Sequence, residues 1–155
     1  MEKQLFSFLL LLSFVVSVSA QDKEARKIEE ISDFCCEYVR SVLDGFLAKL
    51  QNNPGAKGGV IFYDGKNHNI CNKKRPPKRG ELSLIVETVE NHFNFRSFPT
   101  KEFVWINGGY REDWTIELWI IPKNAKLPEA DPTIKKEKIK FRSGKAKDID
   151  LQCEP

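Results

Sequence analysis

Apolar residues follow two different spacings along this chain, and their alternation constrains the fold more than any other feature. At residues 34–50 and 82–93 they recur every three or four positions, which predicts two amphipathic helices. Short runs rich in β-branched and aromatic residues predict strands at 59–63, 103–106 and 114–121. The chain is therefore predicted to be an α+β two-layer sandwich in (β)αβαββ order, with a mixed sheet and two helices on one face.

The segments around these elements carry turn-forming residues. Asn53-Pro54-Gly55 ends the first predicted helix, and Asn107-Gly108-Gly109 is a turn signal before the last strand. Residues 64–78 contain a glycine and two prolines, which predicts a long loop. Residues 27–31 fit either an edge strand or a lead-in to the first helix. Right-handed crossovers through the helices are expected to place consecutive strands side by side.

The N-terminus has the pattern of a secretion signal. An apolar stretch from Leu5 to Val18 follows Lys3, and small side chains precede a predicted cleavage after Ala20. The alternative is an uncleaved membrane anchor, although the stretch is short for a bilayer span. We therefore expect residues 1–20 to be removed and the product to be secreted or periplasmic, without a transmembrane span. Residues 21–122 then form one domain, and residues 123–155 form an extended basic tail.

Four cysteines lie after the predicted signal: Cys35, Cys36, Cys71 and Cys153. An even number in a small exported protein predicts two disulfides. Neighbouring cysteines rarely bond to each other, so we expect Cys35 and Cys36 each to pair with Cys71 or Cys153, in an order that the sequence leaves open. Such pairing ties the tail to the domain. Neither a C-x-x-C pair nor clustered histidines are present, so no metal site or cofactor is predicted.

Several strings of residues carry a resemblance to a known family. Leu43 to Lys57, which includes Asn53-Pro54-Gly55-Ala56-Lys57, resembles the first helix and following turn of OmpA-like (outer-membrane-protein-A-like) domains. The resemblance covers residues 28–121. Arg79-Gly80-Glu81, Gly108 to Glu112 and Glu117 to Pro122 look like an uncharacterised group of exported bacterial proteins.

The resemblance implies an envelope-binding function. OmpA-like domains bind peptidoglycan, with an aspartate after the second strand and an arginine in the second helix that clamp the diaminopimelate of the stem peptide. Asp64 is the approximate match for the aspartate. The arginine position falls near Ile85, so Arg79 at the start of the helix is the expected substitute. An Asp–Arg pair suits a ligand that presents both an ammonium and a carboxylate.

Two further segments are candidate binding elements. In the segment 107–113 two glycines precede Tyr110, and Arg111 is a candidate clamp for a carboxylate; the alternative is a turn in which Arg111 pairs with Glu112 or Asp113. The basic segment 64–79 suits cell-wall phosphates or another anionic polymer; the alternative is a solvated lid held by Cys71. It contains no aromatic residue, so nucleic acid is not expected as a partner.

Catalytic motifs are absent from the sequence. His68 and His92 have no obvious partner, and Glu81, Glu87 and Glu90 are expected to form the solvated face of the second helix. The sequence therefore predicts an exported, non-enzymatic binding module for peptidoglycan or another anionic envelope ligand, with Asp64, Arg79, Tyr110 and Arg111 as ligand-binding residues. The alternatives are a structural or protein-interaction module without a small ligand, and a small secreted hydrolase.

Overall fold

A computed structural model describes residues 24–146, which form five strands and two helices. The strands are β1 (Arg26–Ile31), β2 (Lys57–Ile70), β3 (Lys73–Arg75), β4 (Phe103–Asp113) and β5 (Thr115–Ile121). The helices are α1 (Cys36–Gln51) and α2 (Glu81–Phe95), with 3-10 turns at Thr100–Glu102 and Lys136–Lys138. No helix within this range is long and apolar enough to cross a membrane. The predicted signal, residues 1–20, lies outside the described residues.

The sheet is mixed, and its strands lie in the order β1-β5-β2-β4. β2 is parallel to β4 and antiparallel to β5, while β3 pairs with the last residues of β2. The crossover through α2 does place β2 beside β4. The expected adjacency of β1 and β2 is wrong, because β5 lies between them. β5 takes this central place because nearly all of its side chains are buried, on both faces of the sheet.

Both helices pack on one face of the sheet, so the predicted α+β two-layer fold is confirmed. The core joins apolar residues of the helices to alternate residues of the strands, among them Leu43, Phe46, Ile85, Val89, Phe93, Val60, Ile116, Leu118 and Ile120. The intervening strand residues, which include Ile61, Tyr63, Glu117 and Ile121, face the opposite side and are also buried. The sheet is therefore covered on both faces, although only one face carries helices.

The prediction of a long loop at residues 64–78 is wrong. β2 runs on to Ile70, and a turn at Cys71 and Asn72, both with positive φ, leads back into β3. The strand was missed because the polar residues of this segment are typical of a loop. Its backbone is nevertheless paired, first with β4 and then with β3, which satisfies the buried N–H and C=O groups.

Asn107-Gly108-Gly109 does not form a turn but lies inside β4. The register between β2 and β4 shifts there, and Gly109 has a φ of 88°. β4 and β5 do not form a hairpin, because they flank β2 on opposite sides. Trp114, the one residue between them, therefore crosses β2, and its backbone passes directly over Gly65.

Segment 122–146 covers the face of the sheet that has no helices. The backbone N–H of Asp131 donates to the hydroxyl of Tyr63 at 3.1 Å, and the N–H of Ile134 donates to the carbonyl of Tyr110 at 3.1 Å. Ile139 is buried. The predicted tail is thus packed against the domain within the described range.

A disulfide joins Cys35, before α1, to Cys71 in the turn between β2 and β3. This pairing is one of those expected from the sequence. Cys36 is disulfide-bonded as well. Cys153, which was predicted to tie down the tail, lies outside the described residues.

Candidate functional site

A pocket of about 260 Å³ opens where the start of α2, the glycine pair of β4 and the C-terminal segment meet. It brings together three of the four predicted ligand-binding residues: Asp64, Arg79 and Tyr110. The other lining residues are Gly80, Leu82, Ser83, Asn107, Gly109, Lys136 and Phe141. The pocket therefore holds one carboxylate and two cationic side chains, with hydroxyl, amide and aromatic groups between them.

Asp64 is held in a fixed orientation at the pocket. Its Oδ1 accepts a hydrogen bond from the N–H of Gly65 at 2.8 Å and lies 2.9 Å from Nε2 of His68. The side chain is 19% exposed. Both contacts use the same oxygen, so Oδ2 is the oxygen that can accept a hydrogen bond from a ligand. A carboxylate fixed in this way suits an ammonium or an N–H donor.

A buried network stands behind Asp64. His68 is fully buried, and its Nδ1 lies 3.3 Å from Oε2 of Glu81. Arg75 donates two hydrogen bonds to Glu81, one of them at 2.9 Å. Burial alone would raise the pKa of Glu81, but the hydrogen bonds from Arg75 and from the Lys78 N–H hold that pKa below its ordinary value. The expected solvated position of Glu81 is therefore wrong.

The opposite side of the pocket is cationic. The guanidinium of Arg79 lies over the ring of Phe141, 4.9 Å from its centroid. No carboxylate of residues 24–146 lies within ion-pair distance of Arg79 or of Lys136. α2 begins here, after Gly80, without a side-chain cap, so the positive end of its dipole adds to the potential. An anionic group is favoured on this side.

Arg111 lies outside the pocket, on the sheet face covered by the C-terminal segment. Its guanidinium stacks 3.6 Å from the ring centroid of Tyr63, and Nη2 lies 3.0 Å from Oε1 of Glu117. Nε donates to the carbonyl of Asp131 at 3.1 Å. Glu112 and Asp113, the expected alternative partners, pair instead with lysines. The structure gives Arg111 a partner within the fold and does not bring it to Asp64 and Arg79.

Glu117 is the centre of this second network. It accepts hydrogen bonds from Lys27, Tyr63 and Trp119 in addition to Arg111. Burial tends to raise the pKa of Glu117, but these donors, Arg111 foremost, bring it below its ordinary value. Sequence reasoning missed Glu117. The available signal was a single acidic residue inside a strand that is otherwise apolar, which requires a buried partner.

The two histidines of the sequence both lie beside carboxylates within the fold. His92 lies 2.8 Å from Asp44, which also binds Arg96 with Oδ2 at 2.6 Å, in a contact between the two helices. His68 faces two carboxylates but is fully buried, so it does not reach a substrate. Among residues 24–146 no three His, Cys, Asp or Glu side chains are grouped so as to hold a metal ion.

Comparison of the chain with protein-family models, with curated proteins and with solved structures finds no match in any of the three. The relationship to OmpA-like domains thus stays a prediction. The description of the pocket does not depend on that relationship, because it rests on the positions of the residues that line it.

Lowering the pH through the acid range is expected to destabilise the protein. The pKa of Glu81 is lower in the folded chain than its ordinary value of 4.5. The stabilisation by this carboxylate is present above about pH 4.5 and is lost as the pH falls through the lower, folded pKa, because the unfolded chain then binds the extra proton. Urea denaturation of the wild type between pH 7 and pH 3 measures this loss.

The contribution of Glu81 is isolated by Glu81→Gln, which does not titrate. We expect its unfolding free energy to fall less steeply with pH than that of the wild type. Glu87→Gln, on the exposed side of the same helix, is the matched control and is expected to keep the wild-type slope. Parallel curves for wild type and Glu81→Gln would contradict the assignment.

Proposed function

We propose that this protein is an exported, non-enzymatic binding module. Its pocket takes a ligand group that carries both a carboxylate and an ammonium, as the stem peptide of peptidoglycan does. The observation that carries the proposal is that Asp64 and Arg79 line one pocket with Tyr110. The two charges are opposite in sign. Among residues 24–146, Oδ2 of Asp64 has no cationic partner, and the guanidinium of Arg79 has no carboxylate partner.

The roles of the two residues follow from their chemistry. The Oδ2 of Asp64 accepts from an ammonium, while Arg79 donates to a carboxylate in a planar, two-bond arrangement. The hydroxyl groups of Ser83 and Tyr110 are the neutral donors and acceptors of the same pocket. The disulfide between Cys35 and Cys71 supports export to an oxidising compartment, where such bonds persist.

The test is co-sedimentation of the purified protein with isolated peptidoglycan sacculi at low and at moderate salt. We expect pelleting that resists moderate salt and that falls at least about tenfold in Asp64→Asn and in Arg79→Ala, which is the loss of one charge-assisted contact. Thermal melting of each variant checks that the fold is retained.

Lys123→Ala also removes one exposed positive charge, but Lys123 does not line the pocket, so this variant is the control for Arg79→Ala. It is expected to pellet like the wild type. Failure of the wild type to pellet, or pelleting that modest salt alone abolishes, would reject peptidoglycan as the ligand.

A further inference from the structure

The segment from Asp131 to Arg142 is fixed at both ends and passes the mouth of the pocket between them. At the first end, Arg111 donates to the carbonyl of Asp131, and the N–H groups of Thr133 and Ile134 donate to the carbonyl of Tyr110 at 2.9 and 3.1 Å. At the other end, the backbone N–H of Arg142 donates to the carbonyl of Pro77 at 2.8 Å. These four hydrogen bonds, three of them between backbone groups, set the path of the segment.

Two side chains of this segment face the pocket. Lys136 and Phe141 are lining residues, and Ile139 between them is buried in the domain. Phe141 also carries the guanidinium of Arg79 on its ring. The segment therefore supplies one wall of the pocket, made of a cation and an aromatic ring.

We propose that this wall selects the ligand. An anionic oxygen group, a carboxylate or a phosphate, binds between Lys136 and Arg79 and against the ring of Phe141. Two cations without carboxylate partners in the described range attract such a group, and the ring keeps water from one side of it, which strengthens both contacts. The inference concerns the pocket of the proposed function and rests on that pocket being a binding site.

The experiment adds two small probes, sodium acetate and inorganic phosphate, to the purified, isotope-labelled protein in the form that the cell produces. The Nε–H signal of Arg79 and the backbone amides of the pocket are followed by NMR at constant ionic strength. We expect saturable shifts with one or both probes. Lys136→Ala is expected to weaken this binding about tenfold, the loss of one charge-assisted contact.

Lys138→Ala is the matched control. It removes the same charge two residues further along the chain, and Lys138 does not line the pocket. It is expected to bind like the wild type. Equal weakening by both lysine variants, no weakening by either, or shifts that never saturate in the wild type would each overturn the inference. Binding of phosphate but not acetate identifies a phosphorylated ligand, and binding of acetate identifies a carboxylate.

This result is separable from the outcome with sacculi. If the probes bind in a Lys136-dependent manner while the wild type does not pellet with sacculi, the wall selects an anion as inferred and peptidoglycan is rejected. If sacculi pellet through Asp64 and Arg79 while Lys136→Ala changes nothing, the proposed function stands and the inference about the wall fails.

Discussion

Replacing Arg111 with alanine is expected to destabilise the protein by about 3 kcal/mol, because it leaves the carboxylate of Glu117 buried without its main partner. The side chains of Arg111 and Glu117 are only 15% and 5% exposed, and they lie 3.0 Å apart. The same substitution removes the stacking of Arg111 on Tyr63 and its hydrogen bond to Asp131. Lys27, which also contacts Glu117, offsets part of the loss. Urea denaturation at pH 7 measures the difference.

Two further variants give this prediction its controls. Arg79→Ala removes an exposed arginine without a carboxylate partner in residues 24–146, so it is expected to change stability by less than about 0.5 kcal/mol. Adding Glu117→Gln to Arg111→Ala removes the unpaired charge while keeping one oxygen that can accept from Trp119 and Tyr63, and it is expected to recover part of the loss. A loss below about 1 kcal/mol in Arg111→Ala would contradict a structural role for the pair.

The two arginines show how far the sequence predicts the site. Arg79 was a candidate clamp because it is the expected substitute for the arginine of OmpA-like domains, and Arg111 because it follows two glycines and a tyrosine. The structure places Arg79 at the pocket and Arg111 against Glu117. Glu117 is only six residues away in sequence, but β2 lies between the two strands that carry the pair. A pairing across an intervening strand has no signature in local spacing.

The helices were predictable because each buries a stripe of its own residues. Leu43, Phe46 and Leu50 are buried in α1, and Ile85, Val89 and Phe93 are buried in α2, as the spacing predicted. The second half of β2 was not predictable in the same way. Its burial depends on partners outside the strand, such as Glu81 and Trp114 beside His68. In the sequence alone, polar residues of this kind indicate a solvated loop, because their buried partners are not visible there.

The C-terminal segment shows the same limit. Its prolines and lysines are typical of an extended tail. Its role in the pocket depends on Tyr110 and Pro77, which accept its backbone hydrogen bonds from two different parts of the domain. Nothing in the spacing of Lys136 and Phe141 indicated that they share a pocket with Asp64.

Replacing Gly65 with alanine is expected to destabilise the protein by about 3 kcal/mol or more, the upper end of the range for overpacking. A Cβ at this position would lie 2.0 Å from the backbone nitrogen of Trp114 and 2.5 Å from the carbonyl oxygen of Asn67. These are backbone atoms, which cannot turn aside as the end of a side chain can. The N–H of Trp114 donates to Asn67 at 3.0 Å at the same place, so relief of the clash breaks this bond as well.

Gly45→Ala is the matched control, because a Cβ there meets nothing within 4 Å and the residue lies in the interior of α1. Alanine is favoured over glycine in a helix, so this variant is expected to be more stable than the wild type by about 0.5–1 kcal/mol. The two substitutions add the same methyl group and differ only in what surrounds it. Opposite shifts of the urea midpoint would show that β4 crosses to β5 directly over Gly65. A Gly65→Ala variant as stable as the wild type would mean that the crossing leaves room for a side chain, and that Trp114 takes a different path across β2.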